Sequence, residues 1–314
     1  MTRQRRRLVP PALRRGDAVA VVAPAFPPRD ERHLKEGIRT LERWGLSVRP
    51  GRALGRRWGC FAGTDEERAR DLQEAIDDPE VKGILFARGG WGTSRLFGRL
   101  DLSPLARRPK VLVGYSDLTV LFADLWRRWR LVCGYGPVVA ELGRPAAFHA
   151  PSLRRALFRP AEPFSLRVAR RSILARGRGK GPLVGGCVTL LAHLCGSGRL
   201  PDTRGAVILL EDVGEEPYRI DRMLWQLREA GFFSRAAGVL VGSMSDPAPA
   251  DRKKDPAPVA RSFSFREVLK DHLGPLGVPV LLDVPAGHVE GKWTLPLGLT
   301  ARLGPAEGRV TFSP

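Results

Sequence analysis

A chain of 314 residues with 43% hydrophobic and 27% charged residues can bury a substantial core and has the make-up of a soluble globular protein of one large domain or, as expected here, two. Its net charge of +19 comes from 52 basic residues, of which 8 are Lys and the remaining 44 Arg; they are spread along the chain without a zinc-finger, aromatic RNA-binding or basic-zipper pattern, so no specific nucleic-acid partner is expected. No apolar run approaches bilayer length, the Arg-rich start from Arg3 to Arg7 lacks an apolar segment behind it, and Cys60, Cys133, Cys187 and Cys195 show neither a C-x-x-C pair nor zinc spacing, which predicts a cytoplasmic chain with no membrane partner, no metal and no cofactor.

The first predicted strand is Ala18 to Val22, a β-branched run closed by Ala23-Pro24-Ala25. From Asp30 onwards Leu34, Ile38, Leu41 and Trp44 recur at helical spacing, with Gly45 as a stop. Thr64 followed three residues later by Glu67 is a capping box, and it opens a helix carrying Ala69, Leu72 and Ile76 up to Asp78-Pro79. Gly83 to Ala87 is the next strand. It feeds the glycine-rich turn Ala87-Arg-Gly-Gly-Trp-Gly92 and a short helix from Thr93 to Phe97. Neither a complete G-x-x-x-x-G-K-[ST] nor a complete G-x-G-x-x-G is present, so these glycines are read as bringing backbone N–H groups close to a substrate rather than cradling phosphate.

The stretch Lys110 to Thr119 organises the rest. Val111, Leu112 and Val113 form a short buried-type strand, Gly114 permits a sharp turn, and Leu118, Leu121, Phe122, Leu125 and Trp129 follow at helical spacing. Ser116 and Asp117 sit on the turn, where a serine is either a helix cap or a nucleophile presented at the end of a sheet. Repeated strand and helix from 16 to about 140 predicts a parallel sheet covered on both faces, with its site at the carboxyl ends of the strands, where Arg88 to Gly90 and Ser116 fall.

From Gly143 to Gly181 prolines and basic residues interrupt the pattern. We read a domain at 1–145, a connecting segment with little regular core at 146–180, and a second domain at 181–314. In the second block Gly205 to Asp212 is a buried-type strand ending in two carboxylates, Tyr218 to Ala230 is an amphipathic helix stopped by Gly231, and Gly238 to Gly242 is a strand. Asp246 to Pro258 reads as a surface loop. Ser264 and Glu267 cap a helix ending near Gly274, and a strand from Val278 to Val284 leads to Gly287-His288.

Ser116, Glu211 and His288 each follow a predicted strand, the usual presentation of nucleophile, orienting acid and general base; Glu211 or Asp212 as a helix cap and His288 as a core histidine are the structural alternatives. Together the motifs resemble the serine LD-carboxypeptidases, or muramoyltetrapeptide carboxypeptidases. The resemblance is carried by Gly16-Asp17 with Val21 to Pro24, Phe61 to Asp65 with Arg68, Ala87 to Gly92, Gly114-Tyr-Ser-Asp117, Gly185-Gly186, Leu210-Glu-Asp212 with Tyr218 to Leu224, and Gly287-His288 with Leu295 to Gly298. It implies Ser116 as nucleophile, Glu211 rather than Asp212 as acid, His288 as base, and Gly89 and Asp117 as backbone donors to the oxyanion. Arg88 beside Gly89 and Gly90 is a candidate partner for a substrate carboxylate.

The resemblance also implies an α/β fold: an amino-terminal doubly wound, mostly parallel sheet of the class I glutamine-amidotransferase type, a smaller strand-rich carboxyl-terminal domain, a site in the cleft between them, and a homodimer. The implied activity removes the terminal D-Ala of muropeptide tetrapeptides at an L-to-D bond during cytoplasmic cell-wall recycling. A related branch of the family hydrolyses microcin-type peptidyl nucleotides, for which Trp91 and Trp293 are candidate base-stacking surfaces, the favoured alternative being that they line or support the cleft. Two departures stand out: Ala25 occupies a position that is usually Ser, and Cys187 one that is usually Asn, which is the best support for the alternative of a non-catalytic basic binding protein. An α/β-hydrolase is disfavoured because Leu118 stands where G-x-S-x-G requires its second Gly.

Overall fold

In the computed structural model, described for residues 6–245, 263–304 and 308–314, the chain divides into two compact units. The first comprises residues up to Glu162 together with Val289–Gly298; the second comprises Pro163–His288 and Leu299–Pro314. The loop read at 246–258 and the basic residues 3–5 lie outside the described residues.

The first unit begins with β1 (Ala18–Val22), α1 (Glu31–Arg43), β2 (Ser47–Pro50), α2 (Asp65–Asp77) and β3 (Val81–Phe86). It continues through α3 (Pro104–Arg107), β4 (Val111–Gly114), α4 (Thr119–Trp129), β5 (Cys133–Tyr135), α5 (Val139–Leu142) and α6 (Ala150–Phe158). In the second unit follow β6 (Phe164–Arg167), β7 (Ile173–Ala175), β8 (Gly179–Cys187), α7 (Val188–His193), β9 (Val207–Val213), α8 (Pro217–Glu229), β10 (Gly238–Ser245), α9 (Phe265–Leu273) and β11 (Val280–Leu281). The strand β12 (Leu295–Leu297) belongs to the first unit, and β13 (Thr300–Gly304) and β14 (Arg309–Ser313) to the second.

The first sheet runs β12-β5-β4-β3-β1-β2, parallel except for β12. Every residue of β1 and β4 is buried, so both faces are covered, as the unbroken apolar runs require. Side chains alternate along a strand. Val19, Val21, Leu85, Val111 and Val113 therefore share one cluster with Leu34 and Leu41 of α1, Val139 and Leu142 of α5, and Leu153 and Leu157 of α6. On alternate positions Phe86 meets Phe122 of α4 edge-on, with centroids 6.1 Å apart. Each fully buried Leu or Phe of this kind stabilises the fold by about 1.5–3 kcal/mol.

The second sheet runs β6-β14-β13-β8-β9-β10-β11-β7. Its centre, β8 to β11, is parallel, and the flanking strands pair antiparallel. Ile208 and Leu210 of β9 and Val239 and Val241 of β10 pack with Ile220, Leu224 and Leu227 of α8 and with Leu269 and Leu273 of α9.

Several sequence expectations are corrected here. The segment 146–180 is built structure: α6 packs in the first unit, and β6 and β7 are strands of the second sheet. Its prolines hid this because Pro151 occupies the first turn of α6, where a missing N–H costs nothing. The strand expected from Val278 to Val284 is only Val280–Leu281. Pro279 donates no ladder bond, and Asp283 turns into the left-handed region at φ 55°. The short helix expected from Thr93 to Phe97 is a single 3-10 turn over Thr93–Leu96.

Candidate active site

In the first unit β4 ends at Gly114, where a side chain would come within 2.9 Å of Phe86 and 3.2 Å of Leu118. Ser116 to Leu118 then form one 3-10 turn before α4, so the serine opens a tight turn rather than the helix itself. Ser116 has φ 63°, a left-handed conformation that costs a non-glycine residue about 1–3 kcal/mol and recurs at functional turns. Its amide donates to the Tyr135 hydroxyl at 3.3 Å, and that oxygen lies 3.4 Å from the Thr119 hydroxyl. Gly89 packs directly on the serine: a Cβ there would lie 2.9 Å from Ser116 Cβ and 3.1 Å from Oγ.

Gly90 has φ 110° and no space for a side chain, since Phe26 lies 2.5 Å from the position of a Cβ. Arg88 donates from Nη1 to the Pro27 carbonyl at 2.9 Å and lies 5.5 Å from the centroid of Phe26; burial, with Arg29 and Arg57 nearby, holds it below the usual guanidinium range. Asp117 is fully buried and accepts the Thr93 amide at 2.8 Å. Burial raises its carboxyl to about 6 against the opposing pull of Thr93 and Arg68. Behind the turn, Glu141 accepts from the Tyr115 hydroxyl at 2.8 Å and from Lys292 Nζ at 2.5 Å. Trp293 stacks on His149, with centroids 4.2 Å apart and planes 8° from parallel.

In the second unit Glu211, at the end of β9, is fully buried. Its Oε2 lies 2.8 Å from His288 Nδ1 and accepts the His288 backbone amide at 3.2 Å. A carboxylate at Nδ1 fixes the proton there and leaves the lone pair on Nε2, the tautomer a general base requires. Asp212 has different work: it accepts from the Thr189 amide at 2.7 Å, the Thr189 hydroxyl at 2.9 Å and its neighbour Val213 at 2.8 Å. Cys187 Sγ lies 3.7 Å from the same Asp212 oxygen. The pair depends on Gly287, which has φ 86°. A Cβ there would fall 2.1 Å from Glu211 Oε2.

Gly287→Ala is accordingly expected to lower kcat/KM by about 10²-fold, the size of effect a 1 Å displacement of a reacting group produces, and to lower the melting temperature. Steady-state kinetics with a thermal melt checks this; wild-type kcat/KM would show that the pair does not require the close approach.

The structure thus gathers Ser116, Gly89, Gly90, Arg88 and Asp117 in the first unit and Glu211 with His288 in the second. Sequence reasoning did not identify Tyr135, Glu141 or Lys292 beside the serine turn, since a tyrosine in a short strand and a lone ion pair carry no pattern. No helix among the described residues is long and apolar enough to cross a membrane. No group of three or more His, Cys, Asp or Glu able to hold a metal occurs among them.

An α/β chain with two sheets of this order, a serine in a strained strand-to-helix turn and a buried carboxylate on a histidine has the features of a peptidase of the LD-carboxypeptidase class. Residues 19–136 match the LD-carboxypeptidase N-terminal domain and residues 180–303 the LD-carboxypeptidase C-terminal domain, and the chain belongs to that family. Among relatives, the chain is 37% identical over 301 residues to the "Probable murein peptide carboxypeptidase" of Bacillus subtilis, an alignment covering 95% of this chain and 92% of that one. Among solved structures it is similar to the muramoyltetrapeptide carboxypeptidase from Oxalobacter formigenes, with a TM-score of 0.81, 30% identity and coverage of 95% of this chain and 99% of that one. It shares its fold with the microcin C7 self-immunity protein MccF of Escherichia coli, solved in complex with aspartyl sulfamoyl adenosine. That likeness has a TM-score of 0.84 at 22% identity and covers 98% of each chain.

Proposed function

We propose that the protein is a serine LD-carboxypeptidase that removes the terminal D-Ala from muropeptide tetrapeptides. The observation that carries the mechanism is the buried Glu211 carboxylate 2.8 Å from His288 Nδ1, an arrangement that prepares an imidazole to take a proton at Nε2. In this reading Ser116 Oγ attacks the carbonyl carbon of the L-configured centre of the penultimate residue and its proton passes to His288. Glu211 stabilises the imidazolium, and the backbone amides of Gly89 and Asp117 receive the oxyanion. Collapse of the tetrahedral intermediate breaks the C–N bond, and D-Ala leaves with the proton from His288. Water, deprotonated by the same histidine, then hydrolyses the ester and restores Ser116. Arg88 pairs with the free carboxylate of the substrate.

The reading has support in the family membership and in the 30% identical muramoyltetrapeptide carboxypeptidase. It carries with it a cytoplasmic setting, cell-wall recycling as the source of substrate, and a homodimer, whose mass light scattering on the eluting protein would measure.

Purified protein incubated with a disaccharide-tetrapeptide ending in D-Ala, and with its all-L counterpart, is expected to release one alanine from the first only, read by mass spectrometry. No cleavage of it, alongside hydrolysis of an aminoacyl sulfamoyl adenosine or related peptidyl nucleotide, would move the protein to the reaction of the microcin branch. Inertness to both would favour a binding protein.

A further inference from the structure

Asp117 immediately follows the proposed nucleophile, yet its side chain points to a different segment. Its carboxylate accepts the Thr93 amide at 2.8 Å, at the end of the glycine-rich turn that begins with Gly89 against Ser116. Gly90 and Gly92 in that turn have φ of 110° and 128°, and glycine, without a Cβ, has many other conformations open to it. Something else must select one of them. On the carbonyl side it is Arg68 of α2, fully buried, which donates to the Gly92 carbonyl at 3.1 Å and the Gly63 carbonyl at 3.2 Å, contacts the Pro24 carbonyl, and pairs with Asp65. On the amide side it is Asp117.

We propose that the Asp117 side chain is a positioning residue that locks the 89–93 turn in the conformation that holds the Gly89 amide beside Ser116. The inference rests on Ser116 being the nucleophile. A carboxylate placed there does two things at once: its backbone belongs to the serine turn and its oxygen to the oxyanion turn, so the two cannot move apart independently. A packing role alone would be met at lower cost by a neutral residue, since burying a carboxylate is unfavourable. Because its folded-state carboxyl is raised to about 6 from 3.8, stability contributed by this group is present below pH 4 and lost as pH rises through 6. At neutral pH the chain therefore keeps the anionic acceptor at the expense of stability. The charged group facing it among the described residues is Arg68, itself paired with Asp65, which also binds Arg95; the turn contributes amides.

The test compares wild type with Asp117→Asn in muropeptide kinetics across pH and in the rate of labelling by a fluorophosphonate serine probe. Asp117→Asn is expected to lose about 10–100-fold in kcat with KM within about threefold, to label more slowly by a similar factor, and to melt no lower than wild type at pH 8. The acidic limb of wild-type kcat/KM is expected to be steeper than a single protonation, because Asp117 and His288 must both be deprotonated, and to fall to unit slope in the variant. Wild-type kcat and labelling in the variant, or lost activity with an unchanged limb and a lower melting temperature, would overturn the proposal. If the variant does not fold, a unit slope in the wild type alone does so. A labelled wild type that leaves the muropeptide intact overturns the substrate reading and leaves Asp117 to be judged by labelling; an unlabelled wild type overturns Asp117 together with the Ser116 assignment.

Discussion

Ser116→Ala is expected to fold as the wild type does and to lose on the order of 10⁴-fold or more in muropeptide hydrolysis, the loss that follows removal of a nucleophile. The fold is indifferent to the change because the turn is held by the Ser116 amide on Tyr135, by glycine at 89 and 114, and by Asp117, none of which requires the hydroxyl. The strained φ of 63° persists with alanine, so the melting temperature should hardly move. Turnover equal to wild type would remove Ser116 from the mechanism whatever the fold resembles.

Glu211→Gln is expected to come close in size, about 10⁴-fold in kcat, with the shape of the site retained. The amide is isosteric with the carboxylate and can place its oxygen where Oε2 now meets Nδ1 at 2.8 Å and accepts the His288 backbone amide at 3.2 Å, but it carries no charge. The imidazolium formed when Nε2 takes the serine proton then lacks its counter-charge. Glu211 is fully buried, so water does not supply a substitute. A kcat within tenfold of wild type would show that the acid is dispensable.

Much of this was legible in the sequence because the elements concerned announce themselves by period or cap. β1 and β4 are uninterrupted apolar runs and β3 ends in one from Gly83 to Phe86, α2 and α9 carry complete Thr64–Glu67 and Ser264–Glu267 capping boxes, and Gly-Tyr-Ser-Asp at 114–117 marks a turn by its glycine. Strand ends marked Glu211 and His288 as candidates, but the choice of Glu211 over Asp212 was legible only by resemblance, since nothing local tells that β9 aims its Glu at His288 and its Asp at Thr189. Two strands of unstrandlike composition stayed hidden. The edge strand β2 is short and almost wholly exposed, and the interior strand β8 opens with Gly179-Lys-Gly-Pro, a composition that reads as a turn. Asp117 looked like a helix-start residue by propensity, whereas its contact with Thr93 is tertiary and 24 residues away in the chain.

The strand β12 has a consequence for how the protein is made. It is the antiparallel edge of the first sheet, pairing Leu295–Leu297 with Tyr135–Cys133, and the same short segment supplies Thr294, whose amide donates to Ser152 at 2.9 Å, and Lys292, which pairs with Glu141. A ribosome releases all of the second unit up to His288 before it delivers these residues. Until then the nascent first unit carries β5 as an open edge and Glu141 without its cation, the state in which strands seek partners in other chains. A fragment ending at Glu162 should therefore aggregate on synthesis, whereas the same fragment with residues 289–298 joined through a short linker should remain in solution, since the sheet could then close on itself.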